Sequence, residues 1–150
     1  MARRNRMTIE FDGLEIYRQK LEQLGGGQAV KRAFDDALKD TQSLVAEKVS
    51  AAMSRHNDTG KVKNAIIKSD PPEWSGDIAS VNVGFDIVKG GSYDGLPSIF
   101  LMYGTQLYGQ PHITPDRNLY NAVYGAAVKR QIKEIQKDAF IRVLDRVMNE

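Results

Sequence analysis

His56 and His112 are the only imidazoles in the chain, and acid–base or metal chemistry near neutral pH would start from them. His56 has no ligand-type residue at i+4, the spacing that sets two ligands on one helical face, and Asp116, at i+4 from His112, follows Pro115 and opens the next helix rather than sharing a helical turn with it. Asp58 follows His56 by two residues, where a polar side chain at a helix end more often satisfies backbone groups. Gly90-Gly91-Ser92-Tyr93-Asp94 holds a serine, but a nucleophile elbow needs Gly-x-Ser-x-Gly between a strand and a helix. Thr59-Gly60-Lys61 contains the Gly-Lys pair of phosphate-binding loops. Arg55 stands where that loop needs its first glycine, and Val62 where it needs Ser or Thr. Asp70, Glu73 and Asp77 are clustered acids without calcium-loop spacing. The chain has no cysteine, which removes disulfides, thiolate zinc sites, iron–sulfur clusters and cysteine nucleophiles together. These residues predict no enzyme, no metal and no cofactor.

The scaffold that would position any site is bounded by size. The chain has 150 residues, 41% hydrophobic and 27% charged, which suits one globular domain. The longest apolar run is Ile99 to Tyr103, far short of the roughly 20 residues a membrane span needs. No apolar stretch follows the N-terminal arginines, so no secretory signal is expected. The net charge is +2, and Arg3, Arg4 and Arg6 account for it, because the remainder is close to balance. Residues 1–6 therefore read as a flexible basic arm, either solvated or touching a partner or DNA phosphate, ahead of a single domain over 7–150.

All five prolines lie between Pro71 and Pro115, whereas 28–56 and 116–149 hold none. Helices bracketing a strand-and-loop segment are the expected result. Thr8 to Asp12 alternates as a short strand. Leu14, Tyr17, Leu21 and Leu24 mark a short amphipathic helix, which Gly25-Gly26-Gly27 terminates as a run of glycines can. Val30, Ala33, Phe34, Ala37, Leu38, Thr41, Leu44, Val45, Val49, Ala52 and Met53 make one stripe of a long helix over 28–56, suited to covering a sheet. Residues 65–69 read as a strand. Val81, Val83 and Phe85 alternate with polar neighbours as a half-buried strand over 78–86, with Glu73 and Trp74 in the intervening loop. Asp116 is a suitable N-cap for a last helix reaching Met148. Leu119, Ala122, Val123 and Ala126 open its stripe, and Val128, Ile132, Ile135, Ala139, Val143 and Val147 continue it. Between Arg117 and Met148 there are seven bases and three acids, which a solvated face explains. The expected class is α+β: a small antiparallel sheet packed by a long helix, with a short N-terminal helix and a long C-terminal one.

The order of these features resembles one family. Ile9-Glu10-Phe11-Asp12-Gly13-Leu14, a short helix, a long helix, Thr59-Gly60-x-x-x-Asn64-Ala65-Ile66, a β region, Tyr103-Gly104-Thr105, a proline-bracketed turn and a C-terminal helix are similar to the tail-completion (head–tail joining, minor tail component) proteins of long-tailed bacteriophages. Family members commonly read Glu-Phe-Gly-Thr where this chain has Met102-Tyr103-Gly104-Thr105, and Arg-Pro-Phe-x-x-Pro-Ala where it has Gln110-Pro111-His112-Ile113-Thr114-Pro115-Asp116. The resemblance implies a non-catalytic α+β virion subunit, assembled in the host cytoplasm. It implies a ring, usually hexameric, between the head connector or head-closure protein and the tail terminator or tail tube. Virion DNA would pass through its lumen without sequence-specific binding, and no membrane is involved. A tail-terminator or head-closure role is the nearest alternative reading, and a basic-armed DNA-binding regulator a remoter one.

Subunit contacts are expected within 87–109. Gly90, Gly91 and Gly95 carry a high ordering cost alone, and Ile99, Phe100, Leu101 and Met102 are too apolar to stay wet. Tyr93, Leu96, Phe100, Leu101, Tyr103, Thr105 and Tyr108 are the candidate contact residues.

Overall fold

The structure is a computed structural model describing residues 4–11, 27–56, 60–76, 78–88 and 90–149. Its elements in chain order are β1 (Arg4–Phe11), α1 (Gly27–Ala52) with a 3₁₀ turn at Met53–His56, α2 (Lys61–Asn64), β2 (Glu73–Ser75) and β3 (Ile78–Asp86). There follow α3 (Pro97–Tyr103), β4 (Thr105–Leu107), β5 (Gln110–Ile113), α4 (Arg117–Tyr124) and α5 (Ala126–Met148). The class is α+β, as the sequence predicts. The expected short helix over 14–24 lies outside the described residues.

Strand β3 is the middle strand of a three-stranded antiparallel sheet ordered β1-β3-β2. Ala79, Val81, Val83 and Phe85 are all buried, while Ser80, Asn82 and Asp86 are half-buried between them. Helix α1 lies across that apolar face, contributing Leu38, Val45 and Val49, with Met53 from the 3₁₀ turn, to a core shared with Leu119, Val123, Val128 and Ile132 from α4 and α5. Each fully buried side chain of this size contributes about 1.5–3 kcal/mol by leaving water. At the other end, Val30 and Phe34 of α1 meet Val143 of α5. Trp74 closes this end: its indole donates to Asp35 at 2.8 Å, and the Lys31 ammonium sits 5.1 Å from its ring centroid.

Strand β3 has two short partners on its second edge. Strand β2 pairs with Ile78–Ser80. Residues 65–67 dock further along, where Ile67 N–H donates to Gly84 O and Asp86 N–H to Ala65 O. The expected strand over 65–69 is thus a single antiparallel bridge, Ile66 to Phe85. In the gap between them, the buried Gln42 amide donates to Asn82 O at 2.7 Å. A side chain does the work of a missing strand there, since an unpaired buried carbonyl would cost about 1–3 kcal/mol.

Two expectations need correction. The flexible basic arm does not extend over residues 4–6. Strand β1 pairs from Arg4 onward, with Arg4 opposite Asp86, Asn5 opposite Phe85 and Arg6 opposite Gly84. Asn5 is 1% exposed and donates to Ser98 Oγ at 2.8 Å, and the Arg6 guanidinium pairs with Asp86 at 3.2 Å. The inward positions are Asn5, Met7 and Ile9, so the strand pattern opens on a polar residue and looks like a tail in sequence. Arg3 lies outside the described residues.

The last helix is also two helices. Asp116 is its N-cap as expected, accepting from the Asn118 and Leu119 amides. The chain then bends at Gly125, whose φ −66°, ψ 149° is extended. A Cβ on Gly125 would come within 2.4 Å of Asn121 O, so only glycine permits this bend.

Val83→Asp is expected to lower stability on the order of 3–5 kcal/mol, the scale of an uncompensated buried charge, read as the denaturant midpoint. A wild-type midpoint would show that Val83 does not face the core. Deleting residues 1–6 is expected to lower the midpoint as well, because it removes three rungs of the β1–β3 ladder and the Asn5–Ser98 bond. An unchanged midpoint would refute the strand assignment for these residues.

Candidate functional site

Ile99 to Met102, read from sequence as an apolar patch, belong to the short helix α3. A helical turn sends neighbouring side chains in different directions, so the run divides. Met102 enters the core, Ile99 and Leu101 are half-buried, and Phe100 and Tyr103 face outward, Tyr103 at 55% exposure. The expectation that all four apolar residues need external cover is therefore wrong for Met102 and only partial for its neighbours. The glycine-rich segment is corrected at one point too. Gly95 is buried, and a Cβ there would lie 1.9 Å from Asp86 O. It allows close packing against the end of β3, and the Ser98 hydroxyl donates to its carbonyl at 2.6 Å. Gly90 and Gly91 do stand in open space with positive φ.

Helix α3 ends at Gly104, where φ is +73° and a Cβ would meet Ile113 O at 2.5 Å. The chain then forms the β4–β5 hairpin. Thr105 pairs with Ile113 and Gln106 with Pro111, leaving His112 as an extra, bulged residue. The tip is Tyr108-Gly109, with φ +50° and +77°. Positive φ at both central residues fits a two-residue turn of the type that usually carries Asn or Gly. A tyrosine there is strained by roughly 1–2 kcal/mol. It is also 96% exposed, with Leu107 beside it at 51%. At that exposure the Tyr108 side chain has almost no burial within the chain to offset the strain.

Beside the hairpin's base is an aromatic cluster from α3 and α4. The Tyr103 and Tyr120 rings meet edge-on at 5.8 Å, and Tyr120 and Tyr124 at 5.1 Å. The Tyr124 hydroxyl donates to Asn5 Oδ1 at 3.4 Å. Burial, helped by the adjacent Tyr103 and Tyr120, pushes the Tyr124 phenol up to about 12. It remains neutral at any physiological pH.

Of the candidate contact residues, Phe100, Tyr103 and Tyr108 lie exposed on α3 and the hairpin that follows it, and Tyr93 is exposed on the loop before α3. Leu96, Leu101 and Thr105 are half-buried and support this surface. The Thr105 hydroxyl is buried without a hydrogen-bond partner. Sequence reasoning missed Leu107 and Tyr120. Leu107 precedes the Tyr-Gly turn, and Tyr120 stands four residues before Tyr124, and those spacings were the available signals.

The residues first tested for chemistry remain apart. His56 Nε2 and Asp116 Oδ2 are 2.6 Å apart, which ties the end of α1 to the start of α4. His112 is exposed on β5, and Ser92 donates to Asp94 at 2.6 Å. Asp58 and Asp77 lie outside the described residues, and among those described no three ligating side chains gather. No described helix is long and apolar enough to cross a membrane.

Burial raises the Asp116 carboxyl, but the bonds from His56 and from the Leu119 and Asn118 amides outweigh it and hold the group below its ordinary value. A depressed carboxyl stabilises the fold above its unfolded pKa, and that contribution disappears as pH falls through the folded one. Asp116→Ala is therefore expected to cost about 1 kcal/mol at pH 7, the usual cost of a lost N-cap. The difference from wild type should shrink as pH drops below about 4. Urea melts at pH 7 and pH 3 measure this, and a pH-independent gap would contradict it.

Comparison with protein-family models, curated proteins and solved structures gives no match to this chain, so its own geometry carries the functional reading.

Proposed function

We propose that the protein is a non-enzymatic assembly subunit that docks through α3 and the β4–β5 hairpin onto a neighbouring protein. The setting implied by the sequence resemblance is the virion neck of a long-tailed bacteriophage. There a ring of such subunits, hexameric in the family pattern, would join the DNA-filled head to the tail. The supporting observation is Tyr108, a strained and almost wholly exposed aromatic side chain at the tip of a hairpin. Strain held at an exposed position is favoured where the side chain meets something outside the fold. Phe100, Tyr103, Leu107 and Tyr120 add exposed apolar surface from the same run of elements, of a kind that partner contacts cover.

Tyr108→Asn separates folding from docking. Asparagine tolerates the left-handed conformation, so the melting midpoint should stay level or rise. Assembly should fail: extracts from cells expressing the variant should contain filled heads and separate complete tails, as should a gene disruption. Joined particles after the gene disruption would sink the head–tail role. Normal assembly of Tyr108→Asn would sink the docking role of the hairpin.

A further inference from the structure

A groove of about 750 Å³ runs between the end of α1, α2 and α3. Phe100, Leu101 and Ile113 contribute apolar surface to it, and Arg55, His56 and Lys63 contribute cations or a potential cation. No acid lines it among the described residues. The adjacent Asp116 is already engaged by His56 and two backbone amides. Among the described residues neither Arg55 nor Lys63 has an ion-pair partner. Among the described residues, two cations without an ion-pair partner thus stand beside an apolar trough.

We propose that this groove receives a short acidic–apolar peptide segment of a partner protein. Its carboxylates face Arg55 and Lys63, and its aliphatic or aromatic side chain lies on Phe100 and Leu101. This rests on the docking function above and names the chemistry of what docks. Charge complementarity selects the acid. The apolar surface selects a peptide over a nucleic-acid strand, whose binding sites are dominated by a track of cations along the phosphates. The exposed face of Phe100 belongs to both surfaces, so a docked protein would cover the α3 face and fill the groove together.

The test is a titration of the ¹⁵N-labelled full chain with the peptide Ser-Glu-Phe-Glu-Leu-Ser, followed by amide shifts. Its Lys-for-Glu counterpart and oligothymidine run in parallel. The acidic peptide should shift amides of Arg55, Lys63 and Phe100. The double variant Arg55→Glu/Lys63→Glu should weaken binding roughly tenfold or more, the scale seen for charge reversal at close contacts, with an unchanged melting midpoint. No binding at millimolar peptide, equal binding of the lysine peptide, preference for oligothymidine, or shifts mapping elsewhere would each overturn the proposal. Tyr108→Asn distinguishes it from the docking function. If that variant abolishes assembly while the peptide fails to bind, the groove assignment fails alone. If the peptide binds and the variant assembles normally, the hairpin's docking role fails and the groove assignment stands.

Discussion

The inner face of β3 must be kept dry, and most of the architecture answers that requirement. Four apolar side chains alternate along one strand, and α1 is long enough to cover them while its far end reaches α5. The strand's edges are equally constrained. β1 fills one side. The other is filled piecewise by β2, by the Ile66 bridge and by the Gln42 amide. Every buried backbone polar group of a central strand needs a partner, and here a helix side chain supplies one.

From that core the chain builds outward to a surface with a different character. Gly95 packs the start of α3 against the end of β3, and Gly104 turns the chain from α3 into the hairpin. Along these elements Phe100, Tyr103, Leu107 and Tyr108 are left exposed. The His56–Asp116 contact fixes the helix behind them, because Asp116 caps α4 while holding the end of α1. The packed interior thus carries apolar side chains that the described fold leaves exposed.

How much of this was legible in the sequence depended on whether the signal was local. The stripe of α1 and the alternation of β3 follow from residue order alone, because periodicity reports a buried face directly. Asp116 was legible for the same reason, since an N-cap acts within its own helical turn. Asn5 was not. A polar residue between arginines gives no hint that Ser98, far along the chain, will hydrogen-bond it in the core. The second edge of β3 was legible only in part, because one bridge at Ile66 and one amide from Gln42 leave no run of pattern to detect. The surface was half legible: Tyr108 and Tyr103 stood out by type, but Met102 was misread because a helix sorts neighbours to opposite sides.

The sequence by itself determined the α+β class, the long covering helix, the buried strand and the absence of cysteine chemistry, all consequences of composition and short-range periodicity. Tertiary structure decided where β1 begins, where the last helix bends, and which aromatic side chains remain outside. Those outcomes depend on long-range hydrogen bonds and on whether a Cβ fits between two backbones, as at Gly125 and Gly95. Such contacts join residues far apart in the chain or fold it sharply back on itself, and neither leaves a mark on the local pattern.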